Sequence, residues 1–282
     1  MRRLLRLMLA GIGLAVLSGD VSAEDDKLKP EELVARHLAS IGSAEARKGV
    51  KTRIVAGATT FILRLGGSGA ESGPGNILSD ARRLRIGLKY PSNEYAGEQL
   101  AFDGNRVSVG LNRPGDRSEL AQFVYHHEVM MKEGLLGGVL NAAWGLLDTG
   151  DRKPKLTYSG LTKMEGKPVH EIHYRPRRGA SDLQISLFFD PETFRHVMTQ
   201  YRLEVPSGMP SVPGQTPPRN SFHTLLEYFG DFREVDGLTL PHSYRFGYTI
   251  EGLKSTYLAQ WAFQDIKIAH NAPMEDRYFL IQ

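Results

Sequence analysis

Between residues 156 and 268 apolar side chains recur at every second position in run after run, and this period constrains the chain more than any other feature. Leu183, Ile185, Leu187 and Phe189 share one parity; so do Val197, Thr199, Tyr201, Leu203 and Val205, and then Leu238, Leu240, Tyr244, Phe246, Tyr248 and Ile250. A period of two sends each set to one face of a strand. The stretch therefore reads as successive antiparallel strands sharing a greasy face, which either the protein's own helices or an apolar ligand must cover.

The same pattern extends upstream. Strands are predicted at 51–65, 77–90, 98–102 and 106–111, then at 156–161, 169–175, 183–189, 194–205, 222–232, 238–250 and 257–268, about eleven in all. Asp103-Gly104 and Asp236-Gly237 supply tight turns. The glycine and serine stretch 66–75 reads as a flexible hairpin loop, and the proline-rich stretch 206–220 as a long loop. Pro30 stands where a first helical turn tolerates it, and Val34, His37, Leu38 and Ile41 follow at helical spacing before Gly42, which marks an amphipathic helix. Between 117 and 147 the period changes. Leu120, Phe123, Val124 and Met131 predict one helix, and Gly134, Gly137 and Gly138 interrupt it. The segment 135–147 is apolar nearly all round, so it predicts a buried helix covering the concave sheet face through Leu136, Leu140 and Trp144. As a movable plug it would hinge at those glycines; as a permanent core helix it would fill the sheet.

Arg2, Arg3 and Arg6, the apolar run 7–17 and the small residues Val21, Ser22 and Ala23 form the pattern of a cleavable export signal over 1–23. The run falls short of the ~20 residues that span a bilayer. Residues 24–282 then make one domain, with a periplasmic location and no transmembrane span expected. The net charge of +3 falls to +1 when Arg2, Arg3, Arg6 and Asp20 leave with the signal, so no nucleic-acid partner is expected. The absence of cysteine excludes disulfides, thiol nucleophiles and anchoring through a lipidated cysteine.

Catalytic patterns fail one by one. His127-Glu128 begins like a zinc-protease helix, but Met131 occupies the second histidine's place. His170 and His173 would point to opposite faces of one strand. No phosphate loop, dinucleotide fingerprint or GxSxG elbow is present. Neither a metal, a cofactor nor catalytic residues are assigned, and a dispersed Ser-His-Asp hydrolase stays as a third reading. The candidate ligand wall is Phe61, Leu84, Ile86, Leu88, Tyr90, Leu187, Phe189, Tyr244, Phe246 and Trp261. Arg82 shares parity with Leu84, Ile86, Leu88 and Tyr90, so it would either meet an anionic headgroup or, lying at the strand end, snorkel into water or pair with a carboxylate such as Asp80.

The order EELVARHLASIG, AFDGNRVSV, YSGLTKMEGKPVHEIHY, FFDPETFRHV, FREVDGLTLPHSYRF and DIKIAHNAPMEDRYF resembles the LolA/LolB-like superfamily of periplasmic lipoprotein carriers and receptors across nearly the whole mature chain. The resemblance implies a half-open antiparallel β-barrel whose capping helices close a hydrophobic cavity that holds acyl chains. The expected role is binding or carriage of a lipid, a lipoprotein acyl chain or another hydrophobic ligand. The alternative is a sensor or regulatory module whose cavity is filled by its own helix and whose rim binds another envelope protein.

Overall fold

The computed structural model describes residues 28–64, 68–112, 115–179, 182–206, 220–252 and 256–281. The expected signal at 1–23 and all but the ends of the loop at 206–220 lie outside them. The chain forms one open antiparallel sheet of twelve strands: β1 Thr52–Arg64, β2 Ser68–Asp80, β3 Arg83–Leu88, β4 Gln99–Phe102, β5 Val107–Val109, β6 Lys155–Met164, β7 Lys167–Arg175, β8 Gln184–Phe189, β9 His196–Val205, β10 Ser221–Val235, β11 Leu238–Glu251 and β12 Thr256–His270. The spatial order is β5-β4-β3-β2-β1-β12-β11-β10-β9-β8-β7-β6. Each half is a meander, and the halves meet where β1 pairs with β12, Arg53 opposite His270 and Phe61 opposite Trp261. Only the link from β5 to β6 joins strands that are not neighbours. These strands are the two sheet edges, so the intervening chain must cross from one edge to the other.

Several local expectations need correction. The stretch expected as a flexible loop at 66–75 is largely strand, because Ser68 to Gly75 pair with Arg64 to Gly57. Its glycines permit close approach: a Cβ on Gly73 would lie 1.9 Å from the Lys89 carbonyl oxygen, and one on Gly75 would lie 2.3 Å from Thr59 Cγ2. The strand expected at 77–90 is therefore two, β2 and β3, and Arg82 sits exposed in the turn between them. Arg83, not Arg82, pairs with Asp80, its Nε 3.0 Å from both carboxylate oxygens. In β9 a bulge changes the parity: Phe188 faces Met198 and Phe189 faces His196. Val197 is thereby turned out, and His196 enters the core in its place.

Helix α1, Pro30–Ile41, starts with proline in its first turn and Glu31 and Glu32 near its positive end, and it buries Leu33, Val34, His37 and Ile41. A short α2, Ala44–Gly49, follows. The crossing chain begins with α3, Glu119–His126, capped by Ser118, and α4, Val129–Lys132. The continuous helix expected over 135–147 does not form. Gly134, Gly137 and Gly138 adopt φ of 67°, 82° and 50°, which ends helical progression at each. The segment instead folds as irregular chain with single 3₁₀ turns at Gly138–Leu140 and Gly145–Asp148 before α5, Thr149–Arg152. Its apolar content is buried nonetheless, with Leu135, Leu136, Val139, Leu140, Trp144 and Leu146 all shielded in the same cluster as the inner strand faces.

Candidate functional site

The inner sheet face and the crossing segment 118–148 that lies over it form the candidate site. The strand alternation brings Phe61, Tyr90, Phe246 and Trp261 into one aromatic group. Phe246 stacks on Trp261 at 4.9 Å, and Phe61 lies 5.4 Å from Trp261 and 6.0 Å from Tyr90. Tyr95, from the loop after β3, lies flat on Phe61 at 4.0 Å. Leu84, Ile86 and Leu88 extend this wall along β3. Leu187, Phe189 and Tyr244 line the other half, with Phe189 5.0 Å from His37. Arg82 takes no part: it is exposed in its turn.

Three ionisable groups that sequence reasoning did not single out tie the wall together. Glu227 stands between Leu225 and Phe229 in parity, and this glutamate on an apolar face was its only signal. It is fully buried, accepting from Tyr244 Oη at 2.6 Å, Gly137 N–H at 2.7 Å and Tyr201 Oη at 3.0 Å. Burial pushes its pKa up to about 7 against the opposing effect of those donors. Glu98, just before β4, accepts from Tyr95 Oη at 2.6 Å and Ser118 Oγ at 2.9 Å, while Trp261 Nε1–H donates to Tyr95 Oη at 2.8 Å. Burial raises Glu98 to about 7 as well. Arg53 in β1 is buried, donates to the Val139 carbonyl at 2.5 Å and contacts His270 Nε2 at 3.0 Å; desolvation lowers it to about 10.

The cover has two further polar anchors. Ala142 N–H donates to Ser79 Oγ at 2.9 Å. Trp144 Nε1–H donates to His37 Nε2 at 3.0 Å, so the neutral ring carries its proton on Nδ1 and donates it to Phe194 O at 3.1 Å. Burial lowers His37 to about 4. Trp144 also stacks on His196 at 4.8 Å. Leu136, Leu140 and Trp144 are buried in the cluster that holds the inner strand faces, carried on turns and extended chain rather than on a helix.

The concave space beside Trp144, Val139 and Arg53 narrows to a pocket of about 20 Å³, room for about one water. Larger openings lie at the rim beside α2, about 580 Å³, and across the outer face of β1, β12, β11 and β10, about 220 Å³. Among the described residues, one approach to a nucleophilic triad is Ser186, His173 and Glu171. Both Ser186 Oγ, at 3.0 Å, and Glu171 Oε1, at 3.6 Å, address the same His173 Nδ1, so no relay through the ring exists.

No protein-family model and no curated protein sequence matches this chain. Among solved structures it is similar to a putative outer membrane lipoprotein-sorting protein domain from Vibrio parahaemolyticus, with 12% identity and a TM-score of 0.46 over 89% of this chain and 97% of that one. A LolA-superfamily protein from Nitrosomonas europaea gives 10% identity and a TM-score of 0.43 over the same shares. The MucA/MucB complex of Pseudomonas aeruginosa gives 10% identity and a TM-score of 0.22, covering 86% of this chain and 100% of that one.

Proposed function

We propose that this protein binds a lipid, the acyl chain of a lipoprotein or a comparable apolar molecule on the concave sheet face in the periplasm and releases it unchanged. The observation that carries the reading is the construction of the cover. Residues 133–148 lie over a continuous apolar wall as two single 3₁₀ turns and irregular chain; beyond the backbone bonds they make among themselves and to α4, they are tied to the sheet and α1 through side chains, Glu227, Arg53, Ser79 and His37. A segment held this way can lift without breaking any strand pairing, and the wall from Phe61 to Phe189 is then free to bury an acyl chain at ~25 cal/mol per Å² before ordering costs are subtracted.

The filled concave space favours a second reading, a self-filled module whose rim engages another envelope protein. Native mass spectrometry of the exported protein separates the two. Carriage predicts a co-purifying lipid in organic extracts, lost when Leu187 and Phe246 are replaced together by aspartate. Extracts that match those of an unrelated periplasmic protein, with Trp144 unresponsive to an added fatty acid in a Trp261→Phe background, would leave the interaction module standing.

A further inference from the structure

The opening beside α2 has a chemical character that the concave wall lacks. Its floor and lip are apolar, made by Leu38, Val50 and Leu147, and Leu147 is 39% exposed although it belongs to the otherwise buried cover. Three cations, Arg47, Lys48 and Lys51, stand on this lip. Arg47 donates to the carbonyls of Leu38 and Gly42, which position its guanidinium. Neither lysine forms an ion pair among the described residues. The carboxylate in this lining, Asp80, is already chelated by Arg83, and exposed Glu45 nearby, held by Ser43 and its own backbone N–H, interacts with Lys48 and Arg47, so the lip keeps an excess of positive charge, three cations against one free carboxylate.

A second, smaller pocket adjoins this opening: Arg47, Val50, Ala142 and Leu147 line both the opening and the small pocket that ends at Trp144 and the buried Arg53. The cationic lip and the space under the cover are thus separated only by residues common to both, Ala142 and Leu147 of the cover among them. An amphiphile with a negative headgroup fits this order of surfaces, with its chain inward over Leu147 and its headgroup outside among the three cations.

We infer that this opening is the ligand's entrance and that Arg47, Lys48 and Lys51 select an anionic headgroup. The inference rests on the proposed binding of an apolar chain on the concave face. It is tested with lysophosphatidylglycerol, lysophosphatidylcholine of the same chain length and glycerol phosphate, each titrated below micelle formation by calorimetry into wild type, a Lys48→Gln/Lys51→Gln variant and a Lys48→Glu/Lys51→Glu variant. Wild type should prefer the anionic lysolipid by about tenfold at low salt, as expected for a few exposed charge contacts. The preference should shrink in the glutamine variant and disappear in the glutamate variant, while lysophosphatidylcholine binds all three proteins alike. Equal binding of the two lysolipids by wild type overturns the headgroup inference and leaves the apolar reading intact. Failure of both lysolipids to bind overturns the apolar reading itself. Glycerol phosphate binding as tightly as the lysolipid would make the opening a free-anion site and refute its role as an entrance.

Discussion

Replacing Glu227 by glutamine tests the central anchor of the cover. The side chain keeps its shape, its oxygen can still accept from Gly137 N–H and Tyr244 Oη, and its amide can donate to the Tyr201 oxygen. What disappears is the buried charge. Glu227 moves from 4.5 in its ordinary setting to about 7 in the folded protein, so the folded state holds this proton more tightly than the unfolded chain. Its contribution to stability is complete below pH 4.5 and is lost as pH rises through about 7. At ~1.36 kcal/mol per pH unit the loss amounts to about 3 kcal/mol. Glutamine cannot ionise and escapes it. Urea unfolding followed by circular dichroism from pH 4.5 to 8 should find the two proteins nearly equal at the acid end and the variant more stable by up to about 3 kcal/mol at the alkaline end. Taking the difference between the two proteins cancels the titration of Glu98 and His37, which both retain. A gap independent of pH, or a variant weaker at pH 8, would refute the picture of a carboxylate whose burial outweighs its three donors.

Other expectations follow from single contacts. Trp144→Ala empties a fully buried indole site and removes the bond to His37, so urea unfolding should show a loss of ~3–5 kcal/mol. Gly73→Ala places a methyl against the Lys89 carbonyl and should cost ~1–3 kcal/mol in thermal unfolding, whereas Gly69→Ala, with open space around it, should leave the melting temperature unchanged. Since His37 drops from 6.5 to about 4 on burial, it contributes stability that is present above pH 6.5 and lost as pH falls through about 4. A His37→Gln variant should therefore show a shallower loss of stability than wild type between pH 6 and 4. Export should remove residues 1–23, and N-terminal sequencing of the periplasmic protein should begin at Glu24.

The strands were legible wherever parity alone decides burial. From β6 to β12 each predicted run overlaps its strand, and Asp236-Gly237 turns β10 into β11 with both residues at positive φ. Parity misled where chain geometry intervened. Glycines in 68–75 read as flexibility because sequence does not show the neighbouring chain that their missing side chains admit. The bulge at Val197 reversed inside and outside over one residue. In the cover, composition correctly marked burial at Leu135 and Trp144 but not helicity, because three left-handed glycines decide the path. The aromatic wall was readable strand by strand. Glu98 and Arg53 were not, since what makes each notable is a partner far away in sequence, such as Ser118 or Val139.

The pairing of β1 with β12 has a consequence in time. Arg53 and His270 are neighbours in the sheet but 217 residues apart along the chain, so the seam can close only after all the other strands exist. Until then β1, thirteen residues long, is an unpaired edge in the middle of the future sheet. A chain emerging from its N-terminus carries that edge exposed for the whole of its synthesis or translocation, an invitation to pair with other chains. Folding of this protein should accordingly be slow, limited by the last pairing, and most vulnerable to aggregation when β12 is truncated or late.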